Sequence, residues 1–191
     1  MKIIVAITGA TGAIYGIRAL ERLRDAGVET HLALSRWGLR TLLHETTWTR
    51  QRVEALAHVV YSPSDMGAAI ASGSFRTDGM LVAPCSARTL GAIANGVGEN
   101  LIHRAADVIL KERRRLVLVV RETPLSEIHL ENMLKLSRMG AVLLPPMPAF
   151  YTNPITLDDV VDQTVARMLD QFGLETSGTP RWAGEMQIGT D

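Results

Sequence analysis

The residues able to do chemistry gather in a few short segments. Thr8-Gly9-Ala10-Thr11-Gly12-Ala13 follows an apolar run and precedes a helical pattern with Ile14, Ile17, Leu20 and Leu23 on one side. A helix start has unpartnered backbone N–H groups and partial positive charge, and glycine lets an anion come close. This turn is a phosphate cradle and predicts a phosphorylated ligand near the first residues. Pro84-Cys85-Ser86-Ala87-Arg88-Thr89 repeats the layout. There Ser86 and Thr89 can donate to phosphate or a ring carbonyl, or Ser86 can simply cap the helix. Arg121-Glu122-Thr123-Pro124-Leu125-Ser126 sets opposite charges at the end of an apolar run, where charges need partners. The pair reads as ligand-holding, or as an ion pair bracing the loop. Arg104 and Lys111, about two turns apart, share a helix face and can meet one phosphate. Arg113-Arg114-Arg115 reads as a solvated helix end.

Other chemistries fit less well. A nicotinamide site usually has an acid ending the second strand, and this chain has Ser35-Arg36 there. Short-chain reductases need a lysine four residues after a tyrosine, but Tyr15, Tyr61 and Tyr151 are followed at that spacing by Ala19, Asp65 and Ile155. Hydroxyls and cations around a phosphate suit a mononucleotide such as FMN. Asp158-Asp159-Val160-Val161-Asp162 looks like an aspartate-rich magnesium motif. A second such motif is missing, and acids favour the first turn of a helix, so all three aspartates read as helix-start residues and no metal is expected. Cys85 has no histidine arranged near it and reads as a small buried thiol. His31, His44, His58, His103 and His129 show no metal-ligand spacing.

The elements that must position these segments alternate. Strands are expected at 2–7, 30–34, 79–83 (ended by Pro84), 116–120 and 141–144, with a short one at 59–61. Helices are expected after the first glycine turn, from the Ser35 cap to about 46, over 88–94 and 101–111, and from the Ser126 cap to a stop at Gly140. Pro145, Pro146, Pro148 and Pro154 make a rigid loop. Thr156 and Asp159 form a capping-box pattern for a final helix to about 172. Uniformly apolar strands between helices predict a mainly parallel sheet covered on both faces. The expected fold is therefore α/β, a single-domain Rossmann-like (flavodoxin-like) three-layer sandwich over 1–172, with 173–191 as a tail. Ligands then bind beyond the carboxyl ends of the strands. The loops 9–11, 35, 84–89, 121–125 and 145–151 should converge there.

Bulk properties bound the function. The chain of 191 residues carries 20 Lys plus Arg against 20 Asp plus Glu, so no global field favours nucleic acid or an anionic membrane. One cysteine allows no internal disulfide, no apolar stretch is long enough to span a bilayer, and the N-terminus lacks a signal-peptide layout; cytoplasm is expected. Aromatic residues are only 5%, few for an aromatic pocket, so each reads first as a structural choice.

Jointly these segments resemble the UbiX-like flavin prenyltransferases. The resemblance is closest to the hydroxyarylic acid decarboxylase and phenylacrylic acid decarboxylase branch, whose members are encoded beside aromatic-acid decarboxylases. It runs from Lys2 to about Trp182. Its marks are Gly9-Ala10-Thr11-Gly12-Ala13, Ala71-Ser72-Gly73-Ser74-Phe75, Arg104-Ala105-Ala106-Asp107-Val108, Leu110-Lys111-Glu112, the Arg121 to Ser126 segment, and Pro145-Pro146-Met147-Pro148-Ala149-Phe150-Tyr151.

The resemblance implies an enzyme that joins a dimethylallyl group from dimethylallyl monophosphate to N5 and C6 of reduced FMN. The product, prenylated FMN, serves a UbiD-type decarboxylase. It also implies metal independence and a homo-oligomer, commonly a dodecamer. By position, Gly9, Ala10, Thr11, Ser35, Ser86, Ala87, Arg88, Thr89 and Arg121 match FMN contacts. Tyr151 and Arg167 match dimethylallyl phosphate ligands, with Lys111 and Arg104 from a neighbouring subunit. Glu122 matches the proton-handling acid, and Glu45 and Trp182 match further active-site positions. Many members carry serine where this chain has Thr11, whose methyl narrows the space near N5. The Ala87-Arg88 variation in the second FMN loop suggests backbone contacts there. Related flavin-dependent cysteine decarboxylases and a non-catalytic FMN-binding accessory subunit are the competing readings.

Overall fold

Strand β1 (Lys2–Ile7) lies at the middle of the molecule because its residues are apolar on both sides; five of its six are buried. It pairs in parallel with β2 (Glu29–Leu34) on one side and β4 (Gly79–Cys85) on the other. Outside β2 lies β3 (Val59–Tyr61), and outside β4 lie β5 (Arg115–Val120) and β6 (Val142–Leu143). The sheet order is β3-β2-β1-β4-β5-β6. Strand order reverses between β1 and β4, so the crevice at their carboxyl ends is the topological switch point. This computed structural model describes residues 1–176, 178–182 and 184.

Side chains alternate across each strand and so build two cores. Ile3, Val5 and Ile7 pack under α1 (Ala13–Asp25), α2 (Arg36–Glu45), α3 (Arg50–Glu54) and α7 (Leu157–Asp170). Ile4 and Ala6 face α4 (Ala87–Ala94), α5 (Leu101–Lys111) and α6 (Glu127–Arg138). The result is the expected flavodoxin-like three-layer sandwich. Among the described residues, no helix is long and apolar enough to cross a membrane.

The aspartates of the magnesium-like run have structural partners. Asp159 closes a capping box with Thr156 at the start of α7, and the backbone N–H groups it accepts hold its carboxyl below the ordinary value. Asp158 and Asp162 bind Arg18, and Asp162 also meets Arg22, which ties α7 to α1. Asp162 is thus a mid-helix ion-pairing residue, not a helix-start residue as expected.

Several elements differ from expectation. Strand β4 continues through Pro84 to Cys85, with a register irregularity between Val82 and Cys85 and a cis peptide before Pro84. The buried Thr8 stabilises this course. Its N–H and Oγ1 both donate to the Pro84 carbonyl, at 3.2 and 2.8 Å, and its Oγ1 accepts from the Ser86 N–H at 2.9 Å. Helix α3 and a 3-10 turn over Ala69–Ala71 were not anticipated, because neither is long enough to show a period. Strand β6 is shorter than the apolar run that suggested it. The described tail residues form no helix or strand, while 177, 183 and 185–191 of the expected tail lie outside the described residues.

Cys85 is fully buried and its thiol is pushed up to about 12 by desolvation, so it is the inert thiol expected. Thr8→Val should lower stability by about 1–3 kcal/mol, because it strands the partly buried Ser86 N–H and removes a buried donor to the Pro84 carbonyl. A urea titration should show a lower midpoint at unchanged slope, and Thr8→Ser should recover most of the loss.

Candidate active site

The loop after β1 is shaped by two glycines. A Cβ on Gly9 would sit 2.5 Å from the Trp37 Cβ, so only glycine lets this loop touch α2. Gly12 has φ +94, the left-handed region. The N–H groups of Gly9, Ala10 and Thr11 have no acceptor among the described residues. The next two N–H groups differ. Glu45, at the end of α2, accepts from Gly12 at 2.8 Å and from Ala13 at 3.2 Å. The start of α1 is therefore already capped by a carboxylate. The sequence-based expectation of an open helix N-terminus at this turn is corrected: the open donors belong to the loop itself.

Beside that loop three other helix starts converge on a cavity of about 620 Å³ lined by Gly9, Ser35, Arg36, Trp37, Ser86, Arg88, Thr89, Asn100 and His103, among others. Ser35 caps α2 by accepting from the Gly38 N–H at 2.9 Å. Ser86 caps α4 through Thr89, at 3.3 Å to its N–H and 3.1 Å to its hydroxyl. Asn100 caps α5 through the His103 N–H at 3.1 Å. Each cap leaves first-turn N–H groups and a positive dipole end toward one space, which suits a phosphate. Arg88 adds an exposed cation and pairs with Glu99 at 2.8 Å. Burial pushes the His103 imidazole down, so it is neutral at pH 7 and adds no charge here. Ala87, half-buried, occupies the first turn of α4 between Ser86 and Arg88.

A larger cleft of about 880 Å³ adjoins the same loop. Its walls include Thr11, Tyr15, Glu45, Trp48, Arg121, Glu122, Pro145, Pro146, Met147 and Val161. Apolar walls with a few polar groups fit a planar ring system. Burial raises the Tyr15 phenol and the nearby Arg121 guanidinium opposes that rise, so the hydroxyl stays protonated at neutral pH. The Arg121 N–H donates to the Cys85 carbonyl at 3.1 Å and fixes the start of its loop. Glu122 is exposed, and among the described residues its carboxylate accepts only from the Thr123 N–H, at 3.1 Å. Among the described residues neither Arg121 nor Glu122 makes a salt bridge, so the loop-bracing ion pair is not formed.

A third cavity, of about 340 Å³, brings Tyr151, Arg167 and Trp182 together with Gln163, Asp170 and Arg181. The Tyr151 and Trp182 rings meet edge to face at 5.7 Å, and Gln163 Nε2 lies 3.4 Å from the Tyr151 hydroxyl. Arg104 and Lys111 line none of these three cavities. Arg104 bonds the Ala71 carbonyl at 3.1 Å and Asp107 at 2.7 Å, and Lys111 pairs with Glu112. Lys111 closes α5 just before β5 begins, at the amino edge of the sheet, opposite the phosphate-binding pole. Within one chain the two cations therefore do not meet the Tyr151 and Arg167 group.

Sequence reasoning missed Tyr15, Trp48, Asp170 and Arg181. Tyr15 lies in the first turn of α1, directly after the glycine loop that borders the cleft. The scarce aromatics are not merely structural: all three tryptophans, with Tyr15 and Tyr151, line these cavities.

Glu45 gives this geometry a direct check. Glu45→Ala removes the cap of α1 and should cost about 0.5–2 kcal/mol. Glu45→Gln keeps an acceptor in reach and should cost less, as read by thermal melts of both variants.

Comparison with known proteins agrees with this architecture. The flavoprotein family model matches residues 1–171. A UbiX-like flavin prenyltransferase of Streptomyces sp. (strain D7) is 62% identical over 185 residues, which is 96% of this chain and 92% of that protein. The crystal structure of AnUbiX (PadA1) in complex with FMN and dimethylallyl pyrophosphate superposes with a TM-score of 0.96 at 55% identity, covering 97% of this chain and 98% of that one. A dodecameric FMN-dependent UbiX-like decarboxylase from Escherichia coli O157:H7 has a TM-score of 0.95 at 57% identity, covering 96% of this chain and 100% of that one. With a phosphate-binding pole and a ring-sized cleft at the carboxyl edge of its sheet, and close relatives across nearly its whole length, the chain belongs to the UbiX-like flavin prenyltransferases.

Proposed function

We propose that this protein transfers a dimethylallyl group from dimethylallyl monophosphate to N5 and C6 of reduced FMN, and that the prenylated FMN goes to a UbiD-type aromatic-acid decarboxylase. The observation that carries this reading is the adjacency of two cavities along the loop after β1: the phosphate-binding pole and the ring-sized cleft. A close structural relative was solved with FMN and dimethylallyl pyrophosphate. The reduced flavin supplies the nucleophilic ring atoms. The FMN-binding domain is residues 1–172, and 173–191 form a tail. The site of action is the cytoplasm.

In this reading Gly9, Ala10, Ser35, Ser86, Ala87, Arg88 and Thr89 hold the flavin phosphate and ribityl chain. Thr11 and Arg121 line the cleft for the ring, with Tyr15 and Trp48 as its aromatic walls. Glu45 acts by fixing the start of α1 beneath that ring. Tyr151, Arg167 and Trp182 hold the dimethylallyl phosphate. Monophosphate leaves slowly, so donors and cations must stabilise its growing charge. Lys111 and Arg104 add charge from a neighbouring copy, in keeping with their distance from the cavities of their own chain. Helix α6 leaves Leu130 and Leu134, one turn apart, more than half exposed, an apolar pair suited to assembly. A dodecamer like that of the E. coli relative would bury such faces. Glu122, exposed and free of an ion pair among the described residues, takes the ring proton in this reading.

Anaerobic incubation of the protein with FMN, reductant and dimethylallyl monophosphate should add one five-carbon unit to the flavin by mass spectrometry. An unchanged flavin mass with both the monophosphate and the diphosphate donor would sink this reading. Turnover should survive EDTA, and FMN should bind more tightly than NADPH. Glu122→Gln should keep FMN affinity while prenylation slows roughly 10²–10⁴-fold. Arg167→Ala should chiefly raise KM for the donor, through loss of a charge-assisted contact. Normal turnover by Glu122→Gln would assign the proton to the departing phosphate.

A further inference from the structure

One carboxylate in the third cavity organises two guanidinium groups. Asp170, the last residue of α7, is only 17% exposed at its side chain. Arg181 grips it with both terminal nitrogens, Nη2 to Oδ1 at 2.7 Å and Nη1 to Oδ2 at 3.0 Å. Arg167 Nη1 donates to Oδ2 at 2.9 Å. The carboxyl is held below its ordinary range, chiefly by Arg181. A guanidinium carries five N–H donors. Asp170 uses two on Arg181 and one on Arg167, and both side chains still line the cavity. Two guanidinium groups against the one carboxylate of Asp170 leave the cavity lining positive. Glu175, outside the cavity lining, also attracts the Arg181 guanidinium. A simple tether between tail and helix needs only one arginine and gives no reason to place both beside an aromatic pair.

We propose that Arg181 is a second phosphate ligand for the dimethylallyl donor, beside Arg167, and that Asp170 is the positioning residue that sets both guanidinium groups for it. The proposal rests on the prenyl-transfer reading for the identity of the donor. Two forks sharing one carboxylate are pre-oriented and lose little freedom on binding. Their spare donors can meet different non-bridging oxygens of one phosphate. As the carbon–oxygen bond breaks, both electrons stay on the phosphate oxygen, and two guanidinium groups stabilise that charge better than one.

The test uses the FMN-loaded protein and calorimetric titration with inorganic phosphate and with dimethylallyl monophosphate, alongside steady-state kinetics. Arg181→Gln should weaken both ligands by roughly 10–100-fold, the worth of one charge-assisted hydrogen bond or two. It should raise KM for the donor, with FMN affinity unchanged. Arg181→Lys should recover part of the loss. Asp170→Asn should weaken the same ligands, and Asp170→Glu should recover part, which a purely structural tether would not do at unchanged melting temperature. If Arg181→Gln lowers the melting temperature, the folded Arg181→Lys variant decides: donor binding and kcat/KM equal to wild type overturn the proposal. The same result in a well-folded Arg181→Gln overturns it too. Wild-type protein that binds phosphate through Arg181 but leaves the flavin mass unchanged would sustain the anion site and refute the prenyl-transfer reading.

Discussion

Backbone N–H groups at the carboxyl edge of the sheet are the constraint on which the rest of this structure depends. A parallel sheet with helical crossovers sends every helix start to the same edge. Each start carries N–H groups that must find an acceptor or be offered to a ligand. The chain divides them unequally. Glu45 consumes two at α1, while Ser35, Ser86 and Asn100 each satisfy one at α2, α4 and α5 and leave the others open. The anion-binding pole lies where donors remain.

The same edge needs a rigid floor, and Thr8 supplies it. Its backbone and hydroxyl together hold the Pro84 carbonyl and the Ser86 N–H, so the ends of β1 and β4 are locked side by side. Ser86 is then placed to cap α4, and Arg121 is placed by its bond to the Cys85 carbonyl on the next strand. One buried hydroxyl thus links the phosphate pole to the ring cleft. Arg18, gripping Asp158 and Asp162, does the comparable work between α1 and α7, whose residues wall the cleft and the arginine cavity.

What was legible in the sequence was local. The apolar run of β1, the period of α1, the Ser35, Ser86 and Ser126 caps and the Thr156 capping box all depend on residues within a few positions of one another, and all are present. The cap of α1 was not legible, because Glu45 is 33 residues from Gly12. Strand β4 reads as ending at Pro84 until Thr8, 76 residues away, is seen to meet the proline carbonyl. Arg104 and Lys111 were correctly set on one helix, but which way that helix faces is a property of packing. The site residues were named from the family resemblance, and geometry sorted them into a phosphate pole, a cleft and an arginine cavity that no spacing rule separates.

The distribution of cations bears on the proposed site for the leaving phosphate. Arg167 and Arg181 sit in the arginine cavity, where Asp170 cancels part of their charge. Lys111 and Arg104 line none of the three cavities, and Glu112 and Asp107 accompany them. Every guanidinium or ammonium assigned to the leaving phosphate is therefore matched within its own chain by a carboxylate, which keeps the isolated surface from carrying an unpaired charge cluster. A phosphate dianion between two copies would compete with these carboxylates for the same donors. Binding then exchanges one set of charge-assisted bonds for another, so affinity is modest while orientation stays fixed. That balance suits a leaving group, which must be held firmly as charge develops and then released.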